Sequence, residues 1–472
     1  MENNKHTEYK TKYTHRYIAR IVLEAETPLV VGMGDKNIQT DAVVATDVNG
    51  LPYIPGSSIA GVLRHAIGED SESGNNLFGM GDKKGKNGEI IEEGHGSYLI
   101  FSEAKMVGKE GKALDGLQMI DWSDDFYAHF RHLPVRQHVR ITEKGVAANT
   151  GKFDEQVVFK GTRFCFEMEL VSDGSGNLDW NKFKSVLNQM SSPSFRLGGG
   201  TRSGFGEMKI ISIKTKDVDL AKDEGVKFYL NKSSNLSVEW TGEIHNPSSE
   251  EKDWTTYQLD LVPDDFFLFG SGLSDEDADM TPVKEPVIEW KNDKPEFKEN
   301  YILIPATSVK GALAHRVAYH YNKLAGNFAE DIEDAMSVTG KNNIAVKTLF
   351  GSEGEKTNGE MKDQARGNVI FSDVIKSLRL EEHIMPHVAI DRFTGGALDG
   401  ALFQEKNIYG KGQHFTAKIA VCNSAIEDDK IKKALESSLQ DICKGLLPLG
   451  GGVNRGNGCF SGTLTKNGEG DL

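Results

Sequence analysis

The chain has 472 residues, of which 26% are charged and 38% hydrophobic, a composition that excludes a largely disordered protein. Its formal net charge of −15 excludes a uniformly basic surface, so any phosphate-binding region has to be local. No apolar run approaches the ~20 residues that span a bilayer. The polar start of the chain, and four cysteines without zinc-type spacing, predict a cytoplasmic protein that does not contact membranes.

The first half reads as a mixed α/β unit. Its predicted elements are a strand at 17–24, a helix capped by Ser58, strands at 98–102 and 164–170, and a helix at 181–190. The first helix has an apolar face formed by Ile59, Val62, Leu63, Ala66 and Ile67. A long Gly-, Lys- and Glu-containing loop at 72–96 is expected to be a solvent-exposed insertion.

The second half repeats this plan. The predicted elements are a strand at 254–261, a helix capped by Thr307 or Ser308, strands at 368–372 and 415–421, and a helix at 431–442. A second insertion occupies 327–366. Strand, helix, strand, strand, helix, strand is the order of a ferredoxin-like or RRM-like α+β domain, so we expect two such domains in tandem.

Four short motifs recur in the same order about 250 residues apart, which indicates an internal duplication. The pairs are 54–65 with 304–315, 77–79 with 349–351, 138–141 with 387–390, and 197–206 with 449–458. The polar segment between the halves places the boundary near Asn246, which predicts domains at 1–246 and 247–472.

The paired glycine loops are candidate phosphate-binding sites. Consecutive amides in such loops can line a concavity for phosphate, with a neighbouring arginine as a clamp. The alternative is a pair of tight turns. Neither loop ends in the Gly-Lys-Ser/Thr of a nucleotide P-loop. The candidate residues are Gly198, Gly199, Gly200 and Arg202 in the first half, and Gly450, Gly451, Gly452 and Arg455 in the second.

Two further regions carry charge or hydroxyls. Ser57 and Ser58 open the first predicted helix, whose free amides attract an anion, although simple capping explains them in part. The basic stretch 131–144 corresponds to 385–392 and is either a nucleic-acid channel or a solvated loop. Three aromatic residues are candidates for stacking on bases, with a place in the core as the alternative: Phe153, Phe393 and Phe403.

Together these motifs resemble the RAMP superfamily, and more narrowly the backbone subunits of type III CRISPR effector complexes. The resemblance covers roughly 17–208 and 254–462. A fused tandem is similar to the double backbone proteins of type III-D-like systems, and in this family the stretch from Met385 leads into a thumb-like segment that wedges between bases. The resemblance implies guide RNA, target RNA and other effector subunits as partners.

Family members bind guide RNA through the residues that open the helix, basic residues on that helix, and the glycine loop. Carried over by position, the resemblance implies RNA binding by Ser57, Ser58, Arg64 and Arg202, and by Ser308, Lys310 and Arg455. Ala60 and Ala314 depart from the pattern, and Arg316 is a candidate substitute for the second departure. The residues expected along the guide–target channel are Arg136, His138, Arg140 and Arg392.

The family's cleavage residue is an aspartate in the loop after the first strand, and the resemblance places Asp41 there. A carboxylate holding Mg²⁺ or another divalent cation assists RNA cleavage, so Asp41 is also the expected metal ligand. Gly270 and Gly272 precede Asp279 at the same spacing as the first-half glycines precede Asp41, which makes Asp279 a second candidate, with Asp277 as its competitor.

Three alternatives remain at this stage. Both halves could be a purely structural guide-RNA scaffold. The chain could be a metal-independent nuclease that processes guide precursors, with His65 or His138 as general base. It could also be a tandem nucleotide-binding enzyme that uses its glycine loops.

Overall fold

The computed structural model describes residues 13–32, 34, 40–68, 71–84, 89–142, 145–176, 178–248, 253–352, 354–357, 360–362, 364–377 and 381–471. Each half contains one main antiparallel sheet with helices packed on one face, accompanied by smaller antiparallel sheets, which confirms the predicted tandem α+β architecture.

The first unit follows the predicted order. Its main elements are β1 (His15–Ala25), α1 (Gly56–Ile67), β2 (Leu99–Phe101), β3 (Val135–Ile141), β4 (Ala147–Gln156), β5 (Arg163–Ser172), α2 (Trp180–Asn188), β6 (Met208–Asp219) and α3 (Asp223–Asn231). Strand β1 lies between β6 and β5, and β2 pairs with β5. The order β6-β1-β5-β2 is the ferredoxin-like one. Strands β3 and β4 form a separate hairpin.

The second unit repeats this topology. Its main elements are β7 (Trp254–Pro263), β8 (Lys284–Lys291), β9 (Lys294–Ile304), α4 (Ala306–Ala325), β10 (Val369–Phe371), β11 (Glu382–Ile390), β12 (Ala397–Tyr409), β13 (Phe415–Cys422), α5 (Asp429–Cys443) and β14 (Phe460–Lys466). The sheet order is β14-β7-β13-β10. Strand β7 alternates buried and half-buried residues, because one of its faces packs against α4 and α5.

Shorter elements complete both units. The helices are Glu72–Phe78, Asp125–Ala128 and Ile344–Phe350, and the strands are Tyr53–Ile54, Lys83–Lys84, Ile90–Glu92, Ala104–Met106, Glu243–Ile244, Phe266–Phe267, Gly351–Ser352, Glu355–Thr357, Glu360–Lys362, Ala365–Arg366, Val374–Lys376 and Glu469–Asp471. The predicted insertions are thus partly structured, and their short helices bury Leu77 and Leu349 in the two cores.

The polar segment between the halves folds back over the first sheet. Helix α3 follows β6, and Trp240 packs on Ile18 and Val218 from the sheet face opposite α1 and α2. The Arg20 guanidinium donates to the Val238 carbonyl and lies over the Trp240 ring. This segment therefore belongs structurally with the first unit at least as far as the Glu243–Ile244 strand, which pairs with β6.

The β8–β9 hairpin of the second unit packs against the first unit. This hairpin occupies the extra stretch that separates Asp279 from α4. Its Phe297 packs against Phe126, Phe130 and Phe159 of the first unit, and the Trp290 indole donates to the Gly161 carbonyl at 2.7 Å. The insertion thus forms part of the contact between the two units.

Candidate nucleic-acid interface

Asp41 lies at the base of the β3–β4 hairpin. Its amide donates to Asp154 Oδ1 at 2.8 Å, and the Asp154 amide donates to Asp41 Oδ2 at 3.3 Å. The next residue, Ala42, forms a parallel bridge with Glu155. These reciprocal bonds hold two carboxylates at one edge of the hairpin, with Asp41 exposed to solvent.

Asp279 occupies the equivalent position on the β11–β12 hairpin. Its amide donates to the Gln404 carbonyl at 3.0 Å, and the Gln404 amide donates to Asp279 Oδ2 at 2.8 Å. Met280 forms a parallel bridge with Glu405, as Ala42 does with Glu155. The competitor Asp277 instead lies with its carboxylate 3.5 Å from Lys406 Nζ. The glycine spacing therefore leads to the structurally equivalent aspartate, although its chemical role stays a prediction.

A histidine–glutamate pair recurs at the base of both hairpins. His138 Nε2 lies 3.0 Å from a Glu155 oxygen, and the imidazole stacks on Phe153 with 4.8 Å between ring centroids. In the second unit His387 Nε2 lies 3.1 Å from a Glu405 oxygen and stacks on Phe403 at 4.9 Å. Glu155, Glu405 and Asp154 were not predicted as site residues from the sequence. The available signal was a Phe-X-Glu pattern that follows each histidine by 15 or 16 residues.

The glycine loop of the first unit (197–206) packs on the start of α4 in the second unit. Gly204 forms a parallel bridge with Ser372. A Cβ at Gly204 would lie 2.3 Å from Asp373 Oδ1 and 2.7 Å from the Ala306 Cβ, so only glycine permits this approach. The glycine loop and the helix start were predicted as separate sites within each half. The structure instead brings the loop of the first unit and the start of α4 in the second unit together, and we call this contact between the two units the junction.

Three cations meet at this junction, and we call them the junction cations: Arg202, Lys310 and Arg366. Burial, and then repulsion from Arg366 and Arg196, lowers the pKa of Arg202 to about 10. Burial, and then repulsion from Arg202, lowers the pKa of Lys310. The Lys310 ammonium donates to Ser203 Oγ at 3.3 Å. Within the described ranges no carboxylate is among the groups that shift the pKa of Arg202 or Lys310, so these two cations face like charge without a carboxylate partner.

The sequence profile of the RAMP superfamily matches residues 22–209 and 270–461, one range in each structural unit. The chain belongs to the RAMP superfamily. Membership implies a CRISPR-associated RNA-binding subunit, and the two ranges correspond to two tandem RAMP domains. No curated protein matches the chain. In the part of the chain that the structure describes, no helix is both long and apolar enough to cross a membrane.

The glycine loop of the first RAMP domain is only partly available to a phosphate. The Gly199 amide donates to the Val30 carbonyl at 2.6 Å, so its predicted role as a phosphate donor is wrong. A Cβ at Gly198 would lie 2.2 Å from the same carbonyl oxygen, so this glycine serves close packing of the turn. Gly200, at φ +64°, remains exposed at the tip, and its RNA contact stays a prediction.

The glycine loop of the second RAMP domain (449–458) has the same internal bonds. The Gly451 amide donates to the Leu268 carbonyl at 2.7 Å, which contradicts its predicted phosphate contact, and a Cβ at Gly450 would lie 2.5 Å from that oxygen. Gly452 stays a candidate. Arg455 aligns with Ser203 and not with Arg202, and its guanidinium donates to the buried Glu405 carboxylate. The two loop arginines therefore point to different partners.

The helix starts differ from the prediction. Both α1 and α4 have proline at the N-cap and no side-chain capping bond, so the expected capping by Ser58 and by Thr307 or Ser308 is wrong. These hydroxyl residues lie in the first turn instead. Ser57 and Ser308 are exposed, and a hydroxyl there can donate to phosphate.

Arg136 is removed from the RNA-binding set. It is 7% exposed, and its guanidinium donates to Glu285 and Asp373 of the second RAMP domain. Burial opposes the charge, yet the attraction of Asp373 and Glu285 outweighs it and raises the pKa of Arg136. Asp373 also accepts the first amide of α4, from Ala306, at 2.8 Å. Arg136 therefore binds the two domains together.

Arg316 is also a structural residue. Its Nε donates to Asp441 Oδ2 at 2.5 Å, and His320 Nε2 lies 2.7 Å from the same oxygen. These contacts fix α4 against α5, so Arg316 does not replace the missing helix arginine in RNA binding.

Arg64 is half-buried, with its Nη2 donating to Asn75 Oδ1 at 3.4 Å, and its RNA contact stays a prediction.

Arg140 and Arg392 lie on the exposed parts of the two hairpins. Asp391 Oδ1 accepts the amides of Phe393 and Thr394 and so shapes the turn that carries Arg392. The Phe393 side chain in this turn is fully exposed, as a base-stacking residue requires. Lys144, the last residue of the predicted basic stretch, lies outside the described residues.

The two hairpin bases offer different numbers of carboxylates to a magnesium ion. The described residues contain no group of three or more His, Cys, Asp or Glu that could hold a metal. Mg²⁺, however, is commonly held by one or two carboxylates together with substrate phosphates. Asp41 and Asp154 supply such a pair, whereas Gln404 replaces the second carboxylate beside Asp279.

Proposed function

We propose that the chain is a double backbone subunit of a type III, III-D-like, CRISPR ribonucleoprotein that binds guide RNA and cuts complementary RNA. The observation that carries this proposal is the group of junction cations, Arg202, Lys310 and Arg366. A ribose-phosphate strand is the ligand that such a site favours, because each phosphate replaces repulsion between cations by attraction. The remaining surface is acidic overall, so RNA is directed to this junction.

Two exposed candidate donors lie close in sequence to the junction cations. The exposed Ser308 hydroxyl lies in the first turn of α4, two residues before Lys310, and the exposed Gly200 lies two residues before Arg202. One strand can therefore contact the loop of one RAMP domain and the helix of the next. Contacts to phosphate and ribose of this kind are independent of base sequence, as a guide of variable sequence requires.

Cleavage is assigned to Asp41, with Asp279 as the second site. Each aspartate stands at the base of a hairpin, and one lies in each RAMP domain, so a bound target would be cut at two separated positions. Asp154 and Gln404 hold the two carboxylates through their amides. Mg²⁺ bound by Asp41 and Asp154 would supply charge neutralisation at the scissile phosphate.

Lys310→Met is expected to raise the stability of the RNA-free chain and to lower its affinity for RNA. A lowered pKa means that the folded chain binds this proton less tightly than the unfolded chain, so the charged lysine costs stability below that pKa. We expect the RNA-free variant to be more stable by about 0.5–1 kcal/mol. We expect its RNA affinity to fall, with the slope of log K against log salt smaller by about one. Urea unfolding and salt-dependent binding measure the two effects.

Lys222→Met is the matched control. Lys222 is exposed and pairs with Asp219, so its loss should change neither RNA affinity nor its salt dependence. Unchanged RNA binding by Lys310→Met would contradict the junction site.

The nucleotide-binding alternative receives no support from the loop geometry. The amides of Gly199 and Gly451 are bonded within the protein, which removes the run of free donors that a mononucleotide phosphate needs. The scaffold alternative differs only in lacking cleavage, and the aspartate substitutions in the Discussion separate it from the proposal.

A further inference from the structure

A cavity of about 490 Å³ lies between the two RAMP domains, and none of the junction cations lines it. The turn after α2 and the start of β6 bound it on one side, and the second sheet bounds it on the other. The sheet presents Thr256, Gln258 and Lys418, which alternate with the core residues Tyr257 and Ile419 and so lie on the face opposite α4 and α5. Its volume is typical of small-molecule sites, which occupy about 300–1,000 Å³.

The Arg196 guanidinium lies in the wall of this cavity with one donor unused. Its Nη1 donates to the Phe371 carbonyl at 3.1 Å, and its Nη2 donates to Ser372 Oγ at 2.8 Å and to Glu207 Oε2 at 3.2 Å. The Nε group is buried and has no hydrogen-bond partner in the described part of the chain. A buried donor is unfavourable unless a water molecule or a ligand accepts its hydrogen bond.

The charge of Arg196 is only partly balanced. Burial lowers the pKa of Arg196 even though Glu207 and Asp373 attract its positive charge. The exposed Lys418 adds a second cation, and Glu207 is the one carboxylate among the described lining residues. Two cations and one carboxylate give this lining a net charge of +1, so a ligand with a single negative charge would neutralise it.

The first domain also contributes an apolar part to the lining. Met190 and Met208 are buried, and Ile210 is half-buried. Methionine side chains are flexible and polarisable, so they can pack against apolar groups of different shapes. The cavity therefore offers cations for the charged end of a ligand and an apolar surface for its body.

We infer that this cavity binds a small organic molecule that has one carboxylate and an apolar chain or ring. The carboxylate accepts from Arg196 Nε and from the Lys418 ammonium, and the apolar part packs on the two methionines. A phosphate monoester fits less well, because its second negative charge would lie beside Glu207 without a cation. This site goes beyond the RNA binding proposed above and does not depend on it.

Octanoate is the probe, with acetate and 1-octanol as comparators that lack the apolar chain or the charge. In isothermal titration calorimetry of the RNA-free natural chain, we expect saturable binding of one octanoate per chain and much weaker binding of both comparators. Lys418→Met should weaken octanoate binding by about tenfold, the loss expected for one charge-assisted hydrogen bond. Lys433→Met is the matched control, because Lys433 is exposed on α5, which packs on the other face of the sheet, and its loss should change nothing.

Four outcomes would overturn the inference. Absence of saturable octanoate binding would show that the cavity holds only water. Acetate binding as tight as octanoate binding would show an adventitious ion only. Octanoate binding that Lys418→Met leaves unchanged would place the octanoate elsewhere. Displacement of octanoate by a short RNA would assign the cavity to the RNA site. Because Lys310→Met tests RNA binding separately, the two proposals can fail independently.

Discussion

Asp41→Ala is expected to abolish cutting at one position of a bound target RNA, and Asp279→Ala at the other. Each aspartate lies at the same point of its RAMP domain, so each substitution should act on one site only. Loss of a preorganised charged group at a reacting phosphate costs about 10²–10³-fold in rate. The measurement is the length of the products from an end-labelled target, cut by the assembled complex in the presence of Mg²⁺.

Asp277→Ala is the matched control, because Asp277 lies in the same acidic loop but beside Lys406. Both cuts should persist in this variant, and target binding should be unchanged in all three. Loss of target binding by Asp41→Ala would refute its catalytic role. A natural complex that binds target but never cuts it would favour the purely structural scaffold.

Arg136→Met is expected to destabilise the chain by about 3–5 kcal/mol, because it leaves two buried carboxylates without a cation. Glu285 and Asp373 are both buried, and both belong to the second RAMP domain. The loss should therefore appear as weaker coupling between the domains. Urea unfolding, followed by tryptophan fluorescence, to which Trp290 at the domain contact contributes, measures it.

A variant without charges at these three positions separates the contribution of the ion pairs to stability from the contribution of packing. Arg136→Met combined with Glu285→Gln and Asp373→Asn should recover most of the lost stability, because no carboxylate then remains buried and unpaired. Asparagine at 373 keeps an oxygen for the first amide of α4. Arg140→Met, on the exposed part of the same strand, should change stability by less than about 0.5 kcal/mol. An equally small effect of Arg136→Met would contradict the interpretation of the junction.

The order of the elements could be predicted from the sequence, because each core strand and helix has a regular apolar pattern. Strand β7 alternates along its whole length, and α5 buries Ile431, Leu435, Leu439 and Ile442 on one face. The repeated motifs then placed equivalent elements in the two halves. The register of Asp41 and Asp279 also followed from glycine spacing, since the insertion that disturbs the alignment comes after the second aspartate.

Contacts between distant residues could not be predicted in this way. The basic stretch around Arg136 suggested RNA, but its charge is matched by carboxylates 149 and 237 residues later in the chain. Arg316 was assigned by proximity to the missing helix arginine, yet its side chain faces α5. Consecutive glycines suggested free amides. The Gly199 amide is instead bonded to the carbonyl of Val30, a residue that lies far away in the sequence. In each case the deciding partner is remote in sequence.

The proposed function depends above all on RNA crossing the junction between the two RAMP domains. Ultraviolet crosslinking of the complex purified with its guide RNA, followed by mass spectrometry of the crosslinked peptides, tests this most directly. We expect crosslinks in the peptides that contain Arg202 and Lys310. Crosslinks confined to the outer faces of the two sheets, or a purified complex without RNA, would contradict it.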